Sequence, residues 1–232
     1  MDIAQHKARL RQYFDGVGFE RWSAIYGQAE LSPIRRSIRV GHAAMLAHAE
    51  RWLEARSFPP GATALDAGCG TGLWSLALAR RGLSVTAADI APQMVDATRA
   101  AAAQAGFAEQ ISCHVSDLED LRGSYDLVAC FDVLIHYPEA LFAPMLRHLA
   151  GLCTGTLLFT YAPSTPLLAA LHRVGGMFPK SQRRTDIQMM PEALVRATLA
   201  DCGMRIGRTQ RVSNGFYHVT LVEAIREPVV HR

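Results

Sequence analysis

Short apolar runs alternate with longer amphipathic segments along most of the chain, starting near residue 62. The apolar runs predict strands at residues 62–66, 84–89, 111–115, 125–132 and 156–161. Helical segments lie between these strands, which is typical of a mostly parallel sheet covered on both faces. Two later extended segments are joined by the hairpin signal Ser213-Asn214-Gly215 and predict an antiparallel edge. The pattern therefore predicts an α/β fold with a Rossmann-like sheet.

The first sixty residues have a helical pattern of their own. Ser32-Pro33 is a helix start signal, because it offers a hydroxyl cap followed by proline at the first helical position. This helix is predicted to run to about Arg56, before Pro59-Pro60-Gly61. We expect residues 1–60 to form an N-terminal helical arm or lid, and residues 61–232 to form the main domain.

A lid insertion is expected within the main domain, at about residues 162–190. It contains Gly175-Gly176, which would allow movement, and the apolar side chains of Met177, Phe178, Met189 and Met190, which would cover a large flat ligand. Ordinary core packing explains the same apolar residues equally well.

The composition favours a globular protein and gives no support to a nucleic-acid-binding one. The chain has 50% hydrophobic and 19% charged residues, so it can bury a large core, and its net charge of +3 is too small to favour a nucleic-acid partner. Its five cysteines include no C-x-x-C pair and the N-terminus has no apolar signal segment, so we expect a cytoplasmic protein.

Three glycines at alternate positions follow the first predicted strand. Asp66 closes that strand, and Gly68-Cys69-Gly70-Thr71-Gly72 comes directly after it. Leu73 stands where a dinucleotide fingerprint needs its third glycine. An acidic strand end suits a ligand with an ammonium group and a sulfonium, whereas a pyrophosphate favours a bare helix N-terminus. The loop therefore predicts a site for S-adenosylmethionine.

Three more strand ends carry residues that suit the same ligand, and in an open parallel sheet such ends meet in one crevice. The Asp89 carboxylate is placed to accept the ribose hydroxyls, and the third strand end is placed to meet the adenine amino group. The fourth strand end faces the methionine part. The predicted cofactor-binding residues are Asp66, Gly68, Cys69, Gly70, Gly72, Asp89, Ile90, Met94, Ser116, Asp117, Leu118, Asp132 and Val133.

Stretches outside the cofactor loops point to one family. They are residues 13–22, 25–26, 38–42, 116–119, 132–138, 168–179 and 216–217. On these stretches the chain resembles the magnesium-protoporphyrin IX methyltransferases of chlorophyll and bacteriochlorophyll synthesis. The resemblance implies methyl transfer from S-adenosylmethionine to a propionate of magnesium protoporphyrin IX, with the magnesium chelatase large subunit as partner. It also places Arg39, within I-R-x-G-H, at the carboxylate end of the cofactor or at the anchor of the arm.

The predicted catalytic residues are His136, one turn beyond Asp132, and Tyr26, in the helical arm. A propionate has a pKa of about 4.3 and is ionised at neutral pH, so the acceptor needs a hydrogen-bond donor to aim it and no general base. Structural packing is the alternative role for both residues, and axial ligation of the magnesium ranks below aiming. No protein-bound metal is expected, because the magnesium arrives within the substrate.

Two other functions fit the same motifs. A methyltransferase of a phenolic or quinone precursor would need His136 to take a proton, since a phenol has a pKa of about 10. A non-catalytic tetrapyrrole-binding protein would keep the cofactor loop without turnover. Peripheral membrane association is a further expectation, because Lys7, Arg9 and Arg11 lie on a weakly amphipathic N-terminal helix.

Overall fold

A computed structural model describes residues 3–16, 18–19, 22, 31–164 and 187–226, and in it the chain forms an eight-stranded sheet between two layers of helices. The strands are β1 (Thr63–Ala67), β2 (Ser84–Asp89), β3 (Ile111–Val115), β4 (Tyr125–Cys130), β5 (Cys153–Pro163), β6 (Met189–Met190), β7 (Met204–Asn214) and β8 (Tyr217–Arg226). The helices are α1 (Ile3–Phe14), α2 (Pro33–Glu54), α3 (Leu73–Ala79), α4 (Pro92–Gln104), α5 (Glu139–Leu152) and α6 (Glu192–Asp201).

The strand order is β3-β2-β1-β4-β5-β8-β7, and the first five strands in this order are parallel. Strand β8 is antiparallel to β5, and β7 is antiparallel to β8. The prediction of a mostly parallel α/β sheet with an antiparallel edge hairpin is confirmed. The chain winds outward from β1 in one direction and from β4 in the other, so a crevice opens beyond their carboxyl ends.

The predicted bounds of two strands, β4 and β5, are wrong. Strand β4 ends at Cys130 and not at residue 132, because Asp132 takes a left-handed backbone conformation with φ 57°. Strand β5 runs on to Pro163, and its last residues pair in parallel with Met189 and Met190. Met189 and Met190 form β6, and Met190 is buried, which agrees with ordinary core packing, the alternative to a lid surface, for these two residues.

Helix α2 begins where its sequence predicts and packs on the sheet along one face. Ser32 caps it by accepting a hydrogen bond from the backbone N–H of Arg35. Met45, Ala49 and Leu53 recur at the spacing of one helical face and are fully buried against the sheet. Burying a side chain the size of methionine or leucine stabilises the fold by about 2 kcal/mol, so this face is enough to fix α2 on the sheet.

Helix α1 is tied to the main domain at its carboxyl end. Arg11 lies 3.7 Å from the Asp117 carboxylate, and Asp15 accepts a hydrogen bond from the backbone N–H of Gln93. Tyr26 and residues 165–186, which include most of the predicted lid, lie outside the described residues. Among the helices that the structure describes, none combines the length and apolar character that crossing a bilayer requires.

Candidate functional site

A cavity lies at the carboxyl ends of β1, β2 and β4, where the strand order reverses. Ten of the residues predicted from the sequence line it: Gly68, Gly70, Asp89, Ile90, Met94, Ser116, Leu118, Asp132, Val133 and His136. The structure adds Phe14, Trp22, Ala88, Leu121, Phe131 and Tyr137 to the lining. The cavity therefore combines carboxylates and exposed loop backbone with flat aromatic surface.

The Asp89 side chain closes the glycine loop onto β2. Its Oδ2 accepts a hydrogen bond of 3.0 Å from the backbone N–H of Gly70, and its Oδ1 accepts one of 2.9 Å from the N–H of Ala91. Burial raises the pKa of Asp89, while the backbone N–H donors oppose this shift. The two donors hold the carboxylate in one orientation, with further lone pairs available to ribose hydroxyls.

Asp66 lies deeper than the rest of the loop. It is buried at the end of β1, where the Ser75 hydroxyl donates a 2.6 Å hydrogen bond to its Oδ2. Burial is the main cause that raises the pKa of Asp66 to about 7, and the nearby Asp89 raises it further, whereas Ser75 opposes the shift. A carboxyl group that titrates near neutral pH responds strongly to a cationic ligand beside it.

Two glycines of the loop, Gly68 and Gly72, have positive φ angles and face different neighbours. Gly68, with φ 89°, faces the side chain of Val133, and a Cβ on Gly68 would overlap it. Gly72, with φ 84°, caps α3 and lies behind the cavity against Thr98. Cys69 is buried, and the Thr98 hydroxyl lies 3.5 Å from its Sγ. Gly72 and Cys69 therefore support the loop from behind, and neither lines the cavity.

The loop after β3 contributes Ser116 and Leu118 to the cavity, next to Ile90 and Met94 from the loop after β2. These four residues offer the polar and apolar contacts that an adenine ring needs. Asp117, predicted for the same end, is instead 3.7 Å from Arg11 of α1 and does not line the cavity.

Among the residues that the structure describes, Asp132 is the one non-glycine residue with a positive φ. Such a conformation costs about 1–3 kcal/mol, so the surroundings must hold it in place. Its N–H donates a 2.7 Å hydrogen bond to Thr160 Oγ1, and the Thr160 hydroxyl donates back to Asp132 Oδ1 at 3.0 Å. His42 Nδ1 lies 2.9 Å from Oδ2, and the Tyr217 hydroxyl lies 2.9 Å from the same oxygen. Sequence reasoning missed His42, Thr160 and Tyr217.

His136 is buried in a 3₁₀ turn that ends in the cavity wall. Its ring meets the ring of Phe14 edge-on, with 5.3 Å between the ring centres. Helix α1 thus contributes an aromatic surface beside His136, and Trp22 lines the same cavity. The stretch that includes Trp22 was noted in the sequence, but its place at the site was not predicted.

Of the predicted site residues that the structure describes, the cavity lining leaves out Asp66, Cys69, Gly72, Asp117 and Arg39. Arg39 lies on α2, outside the cavity wall, and Tyr26 lies outside the described residues. Their roles stay predictions, as does the assignment of individual cofactor contacts. Over the described residues, no group of three or more His, Cys, Asp or Glu side chains is arranged to hold a metal ion.

Comparisons with known proteins match most of the chain. A family model described as magnesium-protoporphyrin IX methyltransferase C-terminus matches residues 130–226, and a methyltransferase domain model matches residues 64–154. The magnesium-protoporphyrin O-methyltransferase of Synechocystis is 38% identical over 95% of this chain and 96% of its own length. The enzyme of that name from Rhodobacter capsulatus is 33% identical over 93% of this chain and 95% of its own.

A solved structure agrees with the fold. The crystal structure of magnesium protoporphyrin IX methyltransferase from Synechocystis with bound SAH superposes with a TM-score of 0.87 and 37% identity. The match covers 95% of this chain and 100% of the other. Identity at this level over nearly the full length of both chains, together with the cavity at the β1–β4 switch point, shows that this chain belongs to the magnesium-protoporphyrin IX methyltransferase family.

Proposed function

We propose that this protein transfers a methyl group from S-adenosylmethionine to a propionate carboxylate of magnesium protoporphyrin IX. The products are the monomethyl ester and S-adenosylhomocysteine, as in the synthesis of chlorophyll or bacteriochlorophyll. The observation that carries the proposal is the single cavity that joins the Asp89-bound glycine loop to His136, Phe14 and Trp22. The similarity to enzymes of this name over the full chain supports the choice of acceptor.

Methyl transfer here is an in-line displacement. A carboxylate oxygen forms a bond to the methyl carbon while the carbon–sulfur bond breaks, and the electron pair of that bond stays on sulfur. No proton moves, because the propionate is already ionised at neutral pH. The protein's task is therefore to align the two substrates and to exclude water from the carboxylate.

The lining residues divide this work. Asp89, Ile90 and Met94 hold the adenosyl part, and Asp66 lies beneath the glycine loop, where it favours a cationic methionine end. Phe14 and Trp22 supply flat apolar surface for the macrocycle. We propose that His136 donates a hydrogen bond that aims the propionate, and that Tyr26 is a second donor from the arm.

The discriminating experiment is mass spectrometry of the porphyrin after incubation with S-adenosylmethionine. We expect the mass of magnesium protoporphyrin IX to increase by the replacement of one carboxyl hydrogen with a methyl group. The yield of this product should be lower with the metal-free porphyrin. Binding of porphyrin and cofactor without any S-adenosylhomocysteine would support the non-catalytic tetrapyrrole-binding alternative and overturn the proposal.

The phenolic or quinone alternative is tested through His136. We expect His136→Gln, which keeps a side-chain N–H donor, to retain more activity than His136→Ala, with a rate at saturating S-adenosylmethionine that does not follow a pKa near 6.5. His148→Gln, on α5 and outside the cavity lining, is the matched control. A rate that rises through a pKa near 6.5 and vanishes in both His136 variants would show that the histidine acts as a base.

The magnesium chelatase large subunit is the proposed protein partner, as the resemblance to the family implies. Adding the purified subunit loaded with magnesium protoporphyrin IX should raise the methylation rate above that with free porphyrin. Equal rates with and without the subunit would contradict this partnership.

Peripheral membrane association is proposed for α1. The side chain of Arg9 is exposed on this helix, whereas the Arg11 guanidinium lies near Asp117. We expect the protein to float with vesicles that contain anionic lipid, and Arg9→Glu to weaken that association. Equal recovery with neutral and anionic vesicles would contradict an electrostatic contribution.

A further inference from the structure

Asp132 joins three parts of the chain that are remote in sequence. His42 comes from α2, Thr160 from β5 and Tyr217 from the start of β8, and all three side chains are buried. The Tyr217 hydroxyl lies 3.0 and 2.9 Å from the two carboxylate oxygens of Asp132 and donates its single proton to either one. With His42 Nδ1–H and the Thr160 hydroxyl, three donors face one carboxylate.

The packing around this cluster is specific. Gly41 precedes His42 on α2, and a Cβ on Gly41 would overlap the Tyr217 ring. The rings of His42 and Tyr217 meet edge-on with 6.3 Å between their centres. Helix α2 therefore approaches β8 closely enough for both side chains to reach the same carboxylate.

Asp132 is also where the cluster reaches the cavity. Asp132, Val133 and His136 line the cavity wall, whereas His42 and Tyr217 do not. The His136 N–H donates a 3.0 Å hydrogen bond to the Val133 carbonyl, so a tight turn from Val133 to His136 follows directly after Asp132. The orientation of Asp132 therefore sets the positions of both Val133 and His136.

We propose that His42 and Tyr217 are positioning residues that act through Asp132 to hold His136 and Val133 in place for methyl transfer. This inference deepens the proposed function and rests on it for the identity of the acceptor. A left-handed residue at a strand end has to be held by its neighbours, and here the neighbours are three buried donors from α2, β5 and β8. Loosening them shifts a reacting geometry that tolerates little displacement.

The test uses Tyr217→Phe, which removes one hydroxyl and keeps the ring. We expect kcat for magnesium protoporphyrin IX to fall on the order of 10- to 100-fold. Most of the predicted cofactor contacts lie in the loops after β1, β2 and β3, and only Asp132 and Val133 follow β4. The Kd of S-adenosylhomocysteine should therefore change by much less than kcat. Tyr125→Phe is the matched control, because its hydroxyl bonds the Arg122 carbonyl away from the cavity, and its kcat should equal that of the wild type.

His42 provides a rescue series. His42→Leu should reproduce the loss in kcat, while His42→Asn, which keeps an N–H near the position of Nδ1, should recover part of it. A lower melting temperature with unchanged kcat in folded Tyr217→Phe would show that the cluster is only structural and overturn the proposal. An equal loss of S-adenosylhomocysteine affinity would also overturn it, since the cluster would then act on the cofactor end.

A spectroscopic measurement separates this proposal from the proposed function. The imidazole resonances of His136, identified by their loss in His136→Gln, should shift in Tyr217→Phe and stay unchanged in Tyr125→Phe. This readout needs no turnover. If wild-type protein fails to methylate the porphyrin, the proposed function fails; if the His136 resonances are unmoved in Tyr217→Phe, the positioning proposal fails.

Discussion

The Ser75 hydroxyl lies 2.6 Å from the Asp66 carboxylate, and both side chains are buried beneath the glycine loop. This contact favours the ionised carboxylate, but burial outweighs it and raises the pKa of Asp66 to about 7. Asp66 therefore gains or loses its proton near neutral pH, beneath the loop that lines the cavity.

Cofactor affinity should rise with pH as Asp66 ionises. A cationic ammonium group favours the ionised carboxylate, so binding of S-adenosylhomocysteine should tighten as the pH increases through about 7. Calorimetric titration from pH 5.5 to 8.5, in buffers of different ionisation enthalpy, should show tighter binding and proton release near neutral pH. Affinity that is independent of pH, or unchanged in Asp66→Asn, would contradict this assignment.

The ligand-free protein should show the opposite trend in stability. The folded state holds a proton on Asp66 up to a pKa of about 7, whereas the unfolded chain releases it near 3.8, so the contribution of this group to stability falls between those values as pH rises. Asp66→Asn should therefore raise the melting temperature at pH 8 and leave it nearly unchanged at pH 4. Asp96→Asn, at an exposed ion pair, is the control and should show no such pH dependence.

Replacement of Gly68 should damage both stability and cofactor binding. Gly82→Ala introduces a side chain at φ 84° into open space and should cost about 1–2 kcal/mol, with activity retained. Gly68→Ala adds a clash with Val133 to a similar backbone strain, so it should cost more and weaken S-adenosylhomocysteine binding on the order of tenfold.

Denaturant unfolding and calorimetry measure these two effects. Adding Val133→Ala to Gly68→Ala should recover part of the lost stability, because it removes the overlapping methyl group. Equal costs for Gly68→Ala and Gly82→Ala would show that contact with Val133 does not matter.

The free energy of unfolding should depend strongly on Glu223. This side chain is buried on β8, 2.8 Å from the Arg56 guanidinium and 3.1 Å from that of Arg208. Glu223→Ala removes a carboxylate shared by two arginines that are 26% and 42% exposed, so water takes over part of its role and the cost should be about 1–3 kcal/mol by urea unfolding. Glu192→Ala removes an exposed i,i+4 pair with Arg196 and should cost at most about 0.5 kcal/mol. Similar costs for the two variants would contradict this account.

Local signals in the sequence were sufficient to bring much of the predicted cofactor site to one edge of the sheet. Asp66, Gly68, Gly70 and Asp89 lie at strand ends or in the turn directly after a strand. Parallel strands bring their carboxyl ends to one edge, so a correct reading of the strand order along the chain places these residues together. Cys69 and Gly72 lie in the same turn but outside the cavity lining, so their predicted contacts with the cofactor stay predictions.

The residues that hold Asp132 and the aromatic wall beside His136 could not be predicted in this way. Residues 38–42, 132–138 and 216–217 stood out in the sequence as separate stretches without a common role. Only the packing of α2 on β8 brings His42 and Tyr217 to Asp132, across 90 and 85 residues of chain. The docking of α1, which places Phe14 against His136, is equally remote from any local pattern.

The sequence by itself thus determined the α/β class, the glycine loop and the carboxylates at the strand ends, because these depend on hydrophobic periodicity and turn chemistry over a few residues. Tertiary structure alone decided the left-handed Asp132, its three buried donors and the aromatic wall beside His136. These features depend on side chains from separate elements meeting at hydrogen-bond distance, and that geometry is fixed by how the helices pack on the sheet.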